Sequence, residues 1–283
     1  MISPLQKAGI LIEALPYIEK FQGKTVVIKY GGSAMTDCEL KRAVMQDVIL
    51  MKFVGMNPVL VHGGGPDISD MMKRLNKNPE FVNGLRVTDK ETMEIVEMVL
   101  VGKVNKEIVS LLNQNGGKSM GICGKDGATI KARKKDGDLG FVGEVEKIDP
   151  QLIDTVIREG YIPVIAPIGV GADGESYNIN ADYVAGALAQ ALGADKLVLL
   201  TDVEGIFLDY NDKSTLISSL EVGKVGEYIR KEIISGGMIP KVQCCVEALG
   251  KGVNKTHIID GRIPHSILLE IFTDEGIGTM VVP

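Results

Sequence analysis

The 283-residue sequence has no tryptophan, few other aromatic residues and no excess of basic charge. Lys plus Arg number 31 and Asp plus Glu number 37, so the formal net charge is −6. Because nucleic-acid binders rely on Lys and Arg to neutralise phosphates, this balance argues against a nucleic-acid partner. No apolar run approaches the roughly 20 residues that span a bilayer. Glu13 and Glu19 interrupt the apolar N-terminal stretch, so we expect neither a membrane span nor a signal peptide.

Cysteine is also scarce, and its spacing predicts neither disulfides nor a metal site. The four cysteines are Cys38, Cys123, Cys244 and Cys245, and they form no C-x-x-C pair. Zinc sites need Cys or His ligands at short, regular spacings, which this sequence lacks. We therefore expect four reduced thiols in a cytoplasmic protein, and no metal held by protein side chains.

Glycine, by contrast, is abundant: 34 of 283 residues, well above the average of about 7%. The glycine clusters lie beside strongly patterned sequence rather than in low-complexity linkers. Short apolar runs predict buried strands at residues 26–28, 59–61, 161–166, 196–201 and 257–259. Helical patterns lie between these runs. Strands that alternate with helices predict an α/β fold with a mostly parallel sheet and helices on both faces.

Several longer segments have helical or hairpin signals. Thr88 to Glu91 forms a capping box, and apolar residues then recur at helical spacing until the glycine pair at 116–117. Asp149 followed by Pro150 predicts a helix to about residue 159. The alanine-rich segment 181–192 predicts a buried helix. Residues 131–147 are rich in Gly, Asp and Lys and predict a surface hairpin.

The first 24 residues predict a separate amphipathic helix. Its apolar face comprises Ile10, Leu11, Ala14, Leu15 and Ile18. Pro16 should kink or interrupt this helix, because proline removes a backbone donor and clashes with the preceding turn.

Two predicted strands end in glycine-rich turns. Lys29 precedes Gly31 and Gly32, and the second strand ends in His62 followed by the three glycines at 63–65. In parallel α/β sheets, ligands bind outside the carboxyl ends of the strands. Glycines also let an anion approach free backbone N–H groups. Both turns are candidate anion sites, although a tight turn with a solvated lysine has the same pattern. We interpret His62 as a hydrogen-bonded structural residue.

Three charged residues lie at or near predicted helix starts. Arg86 precedes the first long helix, and its guanidinium is suited to bidentate carboxylate binding. Asp182 belongs to a polar cluster that opens the buried helix. Lys241 follows the glycine pair at 236–237, where a cation opposes the helix dipole unless an anion joins it. A surface ion pair, a helix cap and an exposed lysine are the respective structural alternatives.

One segment has the glycine spacing of a dinucleotide-binding turn. Gly169, Gly171 and Gly174 fit the spacing G-x-G-x-x-G. That fingerprint needs its last glycine inside an opening helix, but residues 175–180 are polar and unpatterned. We therefore interpret the segment as a loop. A nicotinamide-dependent oxidoreductase remains an alternative that rests on this spacing alone.

Taken together, six motifs make the chain resemble the amino-acid kinase family from about Lys24 to the C-terminus. The motifs are Lys29-Tyr-Gly-Gly-Ser33, Val61-His-Gly-Gly-Gly-Pro66, Asn83-Gly-Leu-Arg86-Val-Thr88, Asn178-Ile-Asn-Ala-Asp182, Leu200-Thr-Asp202-Val-Glu-Gly205 and Gly236-Gly-Met-Ile-Pro-Lys241. Each motif alone is weakly specific, but the ordered set is highly specific. The resemblance implies the fold of that family, an open αβα sandwich with a mostly parallel central sheet.

Within the family, the chain is most similar to kinases that phosphorylate the side-chain carboxylate of N-acetyl-L-glutamate, with MgATP as donor, in arginine biosynthesis. The resemblance implies that two lysines stabilise the migrating phosphoryl group and that an aspartate orients them. These catalytic residues are Lys29, Lys241 and Asp182. The implied substrate-binding residues are Gly64, Gly65, Arg86 and Asn178. The implied nucleotide-binding residues are Gly31, Gly32, Asp202, Gly205, Gly236 and Gly237.

The resemblance also implies a division into three segments. Residues 1–24 would form a kinked helix for oligomerisation, residues 25–177 a lobe for the amino-acid substrate, and residues 178–283 a lobe for the nucleotide. Arginine-inhibited members of the family carry such an N-terminal helix and form hexamers through it. The implied arginine site comprises His257, Glu270 and Gly276, with Lys196 and Tyr17 as weaker matches. We therefore expect a homohexamer that L-arginine inhibits.

Two further functions compete with this one. A sibling kinase acting on another carboxylate or on a carbamate is the nearest alternative. A non-catalytic arginine-binding regulator is a second, although it would not require both lysines.

Overall fold

The computed structural model describes residues 3–273 and 276–283. The strands are β1 (Thr25–Tyr30), β2 (Asn57–His62), β3 (Phe81–Val82), β4 (Leu85–Arg86), β5 (Ser119–Cys123), β6 (Ile130–Lys134), β7 (Gly143–Ile148), β8 (Ile162–Ala166), β9 (Ile168–Val170), β10 (Ser176–Asn178), β11 (Lys196–Thr201), β12 (Ser219–Glu221), β13 (Lys255–Asp260) and β14 (Thr279–Val282). The α-helices are α1 (Pro4–Phe21), α2 (Cys38–Phe53), α3 (Gly65–Arg74), α4 (Lys90–Glu97), α5 (Asn105–Gln114), α6 (Gln151–Arg158), α7 (Ala181–Ala191), α8 (Val222–Arg230), α9 (Met238–Gly250) and α10 (Ser266–Ile271).

A central sheet of eight strands organises the described part of the chain, in the order β12-β14-β13-β11-β1-β2-β8-β5. The six strands from β13 to β5 in that order run parallel. At the other edge β14 runs antiparallel to β13, and β12 runs parallel to β14. The predicted mostly parallel α/β sheet is confirmed. The five apolar runs correspond to β1, β2, β8, β11 and β13, as predicted.

Alternate residues of the central strands face two separate apolar layers. Val26 and Ile28 of β1 pack into one buried cluster, together with side chains of α2 and α5. Val27 points the other way, into a cluster that includes side chains of α7 and α9. All three valine and isoleucine side chains are fully buried. Helices therefore cover both faces of the sheet, which confirms the αβα sandwich.

The long helix predicted after Thr88 differs from the prediction in two ways. Its cap is Asp89, whose side chain accepts from the Thr92 amide, because the Thr88 hydroxyl instead donates to the Arg86 carbonyl. The helix is also not α-helical throughout. Residues Met98–Val104 form a π-helical segment between α4 and α5. The predicted end before the glycine pair at 116–117 is confirmed, since α5 ends at Gln114.

A second, smaller sheet lies beside the central one, in the order β10-β9-β6-β7. Strands β6 and β7 form the antiparallel hairpin predicted for residues 131–147. The segment 169–174 runs from β9 into the turn before β10, which pairs antiparallel with β9. The loop prediction is therefore wrong for residues 176–178. No helix opens within this segment, so the context that a dinucleotide fingerprint requires is missing.

The N-terminal helix α1 continues through Pro16 without interruption. Ser3 caps it with a reciprocal bond to Gln6. Much of its apolar face is exposed, with Ile10 at 54% and Leu11 at 71% of their full accessible surface. None of the described helices combines the length and the hydrophobicity needed to cross a membrane.

Candidate active site

Three charged residues from distant parts of the chain meet at the carboxyl edge of the central sheet. Asp182 Oδ1 lies 3.1 Å from Lys29 Nζ, and Asp182 Oδ2 lies 2.7 Å from Lys241 Nζ. We call these three residues the charged cluster. Asp182 Oδ1 is buried and faces Lys29 as an ion pair.

Each member of the charged cluster is held by a regular element. Lys29 belongs to β1, one residue before its end, and Lys241 lies in the first turn of α9. Asp182 is the second residue of α7, where the Asn180 side chain caps the helix by accepting from the Asp182 amide at 2.8 Å. Strand ends and helix starts converge at this edge because the sheet is parallel.

The charged cluster has one more positive than negative group and is largely buried. Burial favours the neutral acid, but the adjacent Lys29 and Lys241 ammonium groups hold the pKa of Asp182 below its ordinary value. The aspartate is therefore ionised at neutral pH. With two ammonium groups around one carboxylate, the net charge of +1 attracts an anion into the site.

The first glycine turn fits closely around two charged side chains. A Cβ at Gly31 would lie 2.7 Å from Lys29 Nζ, so the end of the lysine side chain packs directly against this glycine. Gly32 has φ of +72°, and a Cβ there would lie 2.4 Å from Asp202 Oδ1. That oxygen accepts from the Ser33 amide at 2.6 Å. The backbone donor predicted for an anion thus holds a side-chain carboxylate in this structure.

The second glycine turn presents open backbone at the start of α3. A Cβ at Gly65 would meet no atom within 4 Å, whereas one at Gly64 would lie 2.5 Å from Leu100 Cδ2. The preceding His62 is fully buried, and its ring contacts the Gly63 carbonyl at 2.7 Å and the Asn105 amide at 3.2 Å. Burial lowers the pKa of His62 to about 4. His62 therefore has the structural environment that the sequence predicts.

Arg86 is a buried cation, and among residues 3–273 and 276–283 it has no ion-pair partner. Its guanidinium donates to the Gly65 carbonyl at 2.9 Å and to the Ser69 hydroxyl at 2.8 Å, and it stacks on Phe81 at 4.8 Å. Burial lowers the pKa of Arg86. Asn178 is nearby and donates to the Thr88 hydroxyl at 3.2 Å. A buried guanidinium without a carboxylate is poised to bind an anionic ligand.

Two adjoining clefts share Lys241. The first has a volume of about 320 Å³ and contains the charged cluster together with Gly31, Gly32, Gly64, Gly65, Arg86 and Asn178. The second has a volume of about 460 Å³ and is lined by residues of the 201–210 segment and of the 232–238 turn, including Gly205 and Gly237. Lys241 lines both. An anion bridging the two clefts would therefore pass the charged cluster.

The remaining predicted nucleotide residues have different environments. Gly205 has φ of +151°, and a Cβ there would lie 2.8 Å from Leu216 Cδ1. Gly236 has φ of +52° in the turn before α9. A Cβ at Gly236 or Gly237 would meet no atom within 4 Å, so this turn exposes bare backbone. Asp202 does not line either cleft and instead links the segment after β11 to the Ser33 amide.

The residues predicted for arginine lie together at the other end of the central strands. His257 Nδ1 contacts Glu270 Oε1 at 2.6 Å, and the Ile277 amide donates to Glu270 Oε2 at 2.9 Å. A Cβ at Gly276 would lie 3.0 Å from Glu270 Oε2. Burial lowers the pKa of His257, and the contact with Glu270 acts in the opposite direction. Among the described residues its Nε2 atom is buried without a hydrogen-bond partner.

Lys196 and Tyr17 connect this region to the N-terminal helix. Lys196 Nζ lies 4.8 Å from the ring of Phe21, the last residue of α1, and burial lowers the pKa of Lys196 to about 8. Glu270 acts in the opposite direction and raises the pKa of this lysine. Tyr17 packs against the core from α1. The predicted residues are thus near one another and near the helix.

Sequence reasoning missed several residues that line or support the first cleft. Phe81, Leu100, Val142 and Asn180 line it, and Ser69 binds Arg86. Asn180 belongs to the polar cluster that was predicted to open the buried helix, but it was not assigned to the site. Leu100 faces Gly64 from the π-helical segment, which has no signal in the apolar periodicity.

The sequence profile described as the Amino acid kinase family matches residues 24–260. The chain belongs to the amino acid kinase family. It is 68% identical to an acetylglutamate kinase of Moorella thermoacetica, over 100% of this chain and 99% of that protein. It is 65% identical to an acetylglutamate kinase of Syntrophomonas wolfei, over 100% of this chain and 99% of that protein. The predicted family is confirmed.

A solved structure agrees with the fold. It is the structure of N-acetylglutamate synthase from Neisseria gonorrhoeae, complexed with coenzyme A and N-acetyl-glutamate. Its TM-score against the present chain is 0.85, and the two sequences are 26% identical. The alignment covers 98% of the present chain and 63% of the synthase chain. The chain thus spans less than two thirds of the synthase, and the similarity concerns that part alone.

Proposed function

We propose that the chain is an ATP-dependent kinase that phosphorylates the side-chain carboxylate of N-acetyl-L-glutamate, in arginine biosynthesis. The observation that carries the proposal is the charged cluster, in which two ammonium groups flank one buried carboxylate between two clefts. The names of the curated relatives support the choice of substrate, since both are acetylglutamate kinases. The N-acetyl-glutamate bound to the structurally similar synthase agrees with it.

The chemistry needs charge neutralisation more than proton transfer. A side-chain carboxylate has a solution pKa near 4.3, so the acceptor is already ionised at pH 7 and needs no general base. The difficulty is to bring this anion to a polyanionic donor. Lys29 and Lys241 would bind the phosphoryl oxygens as charge moves between donor and acceptor, and Asp182 would keep both ammonium groups in place.

The first cleft would hold the acceptor. Arg86 supplies a buried guanidinium for a carboxylate of N-acetyl-L-glutamate, and Asn178 supplies an amide beside it. Gly64 and Gly65 offer backbone N–H groups at the start of α3 for a second anionic group. A substrate with two carboxylates fits a cleft with cationic groups at Arg86 and at the charged cluster.

The second cleft would hold ATP, with its phosphates directed at Lys241. The open backbone of Gly236 and Gly237 and the glycines at 31 and 32 are suited to phosphate oxygens. Among the described residues there is no group of three His, Cys, Asp or Glu side chains that could hold a metal ion. We therefore expect a Mg²⁺ ion that is bound mainly by the phosphates of ATP, as is usual for this cation. When bound, Mg²⁺ would neutralise phosphate charge.

The assignment of one cleft to the acceptor and the other to ATP implies two lobes. Residues 25–177 would bind the amino-acid substrate and residues 178–283 the nucleotide. The central sheet is continuous across this boundary, because β1 pairs with β11. We expect the enzyme to act in the cytoplasm, in agreement with four free cysteines, of which three are buried.

We further propose that L-arginine inhibits the enzyme by binding beside His257 and Glu270. The Glu270 carboxylate would accept from the guanidinium, and the unpartnered His257 Nε2 could accept another of its N–H groups. The exposed apolar side chains of α1 would pack against a second copy, giving a homohexamer. Lys196 contacts both this region and Phe21, which would link arginine binding to the helix.

Activity and binding assays separate these functions. We expect ADP release that requires both ATP and N-acetyl-L-glutamate, with formation of an acyl phosphate that hydroxylamine converts to a hydroxamate. A higher kcat/KM with another carboxylate or with carbamate would favour a sibling kinase. Arginine binding without ATP turnover would favour a regulator, and ATP-independent hydride transfer an oxidoreductase. Sedimentation of the full chain, with and without arginine, measures the oligomeric state.

A further inference from the structure

Cys244 contacts the charged cluster through the backbone of Asp182. Its Sγ donates a hydrogen bond to the main-chain oxygen of Asp182 at 3.0 Å. On the same helix, three residues earlier, Lys241 Nζ lies 2.7 Å from Asp182 Oδ2. Residues three apart on a helix share a face. One face of α9 is therefore attached to Asp182 at two points, one through the side chain and one through the backbone.

The thiol is a permanent donor at this position. Cys244 is only 2% exposed, and burial raises the pKa of its thiol. A protonated thiol can donate to a carbonyl, whereas a thiolate cannot. Burial therefore favours the protonated thiol, which is the form that donates to the Asp182 carbonyl.

Gly186 provides the space for this contact. It lies inside α7, where glycine weakens a helix relative to alanine. A Cβ at Gly186 would lie 2.7 Å from Cys244 Sγ, a distance that real Cβ contacts do not reach. The thiol thus packs into a notch on α7 that only glycine leaves open. The close approach of α7 and α9 therefore explains why a glycine occupies position 186, inside a helix that glycine weakens.

We propose that Cys244, packed against Gly186, is a positioning residue for phosphoryl transfer, which fixes α9 on the first turn of α7 and so holds Lys241 at the transfer site. The inference rests on the proposed function, because the readout is turnover. It goes beyond the charged cluster itself, since Cys244 acts through Asp182 and Lys241 and touches no substrate.

The adjacent cysteine offers a matched control. Cys245 is fully buried as well, and burial raises the pKa of its thiol to about 12. Its thiol lies beside Thr256 of β13 instead. Replacement of either cysteine by alanine removes one buried sulfur atom from the same helix, but only Cys244 contacts Asp182.

The experiment compares kcat, KM and Tm for four variants of the full chain. Cys244→Ala should lower kcat about 5- to 10-fold, the range expected for loss of one modest hydrogen bond, and change the KM for each substrate less than about twofold. Cys244→Ser should return kcat to within about twofold of the wild type, because a hydroxyl can donate to the same carbonyl. Cys245→Ala should leave kcat within about twofold, even where its Tm falls as far as that of Cys244→Ala.

Gly186→Ala tests the other side of the contact. It should lower kcat by about 10-fold or more despite the higher helix propensity of alanine, because the new Cβ displaces the thiol. Equal losses of kcat in Cys244→Ala and Cys245→Ala would overturn the inference, as would a serine variant no faster than the alanine variant. A wild-type chain without acceptor-dependent ATP turnover would instead overturn the proposed function, so the two failures are distinguishable.

Discussion

Replacement of Lys241 by methionine removes one ammonium group while keeping an unbranched side chain of similar length. In the structure this amine lies 2.7 Å from Asp182 Oδ2, and the Asp182 side chain is only 8% exposed. Without it, Asp182 is balanced by Lys29 alone, and the net charge of the charged cluster falls from +1 to 0. The site then attracts the migrating phosphoryl group less strongly than before.

The size of the effect follows from Coulomb's law. Two unit charges 4 Å apart at an effective dielectric constant of about 20 interact by about 4 kcal/mol. Loss of one well-placed electrostatic contact in an active site lowers kcat by about 10²–10³. We therefore expect Lys241→Met to lower kcat by about 10²–10³. The KM for N-acetyl-L-glutamate should change much less, since we propose that this substrate binds mainly through Arg86.

Initial rates of ADP release, at saturating ATP and N-acetyl-L-glutamate, measure this effect. Lys251→Met is a matched control, because Lys251 directly follows the same helix but is exposed and far along it from the cluster. The control should keep kcat within about twofold. Turnover of Lys241→Met within about threefold of the wild type would refute the assigned role of this ammonium group.

Three further predictions concern other parts of the molecule. Arg86→Lys should raise the KM for N-acetyl-L-glutamate by about 10- to 100-fold with a smaller loss of kcat, since lysine cannot bind a carboxylate in a bidentate manner; unchanged KM in steady-state kinetics would contradict this. His62 has its folded-state pKa lowered to about 4, against about 6.5 when unfolded. The folded state thus binds fewer protons, and lowering the pH from 7 to 4 should remove about 3 kcal/mol of stability. Urea unfolding of His62→Gln should lack this contribution, and equal pH slopes in both proteins would count against it. Glu270→Gln should raise the arginine concentration for half-inhibition more than about 10-fold, relative to its own uninhibited rate; an unaltered inhibition curve would disprove the assigned site.

Much of the fold follows from signals that are local in sequence. The runs at 26–28 and 196–201 predict buried strands because they are continuously apolar, and both are central in the sheet. The π-helical segment at Met98–Val104 was not predictable, because its apolar spacing is compatible with an ordinary α-helix. Strand β10 was missed because its three residues, Ser176–Asn178, are stabilised by pairing with β9 rather than by their own pattern.

The candidate site also contains residues that the sequence predicts and residues that it does not. Lys29, Arg86 and Lys241 lie beside glycine turns or helix starts, which made them candidates for anion binding. Structural alternatives stayed open for each, and their functional roles came from the resemblance to the family. The environment of Asp202 was not predictable, since its contact with the Ser33 amide joins residues 169 positions apart. The notch between Gly186 and Cys244 depends on the packing of two helices, and neither residue has a signal of its own.

The central claim is that this chain transfers a phosphoryl group from ATP to the side-chain carboxylate of N-acetyl-L-glutamate at the charged cluster. Phosphorus NMR of the wild-type chain with MgATP and N-acetyl-L-glutamate tests it most directly. We expect an acyl-phosphate resonance to grow in step with ADP, to require the acceptor, and to be absent over the same period for the Lys29→Met/Lys241→Met double variant. Inorganic phosphate as the sole product, or an acyl phosphate formed at the wild-type rate by the double variant, would contradict the account.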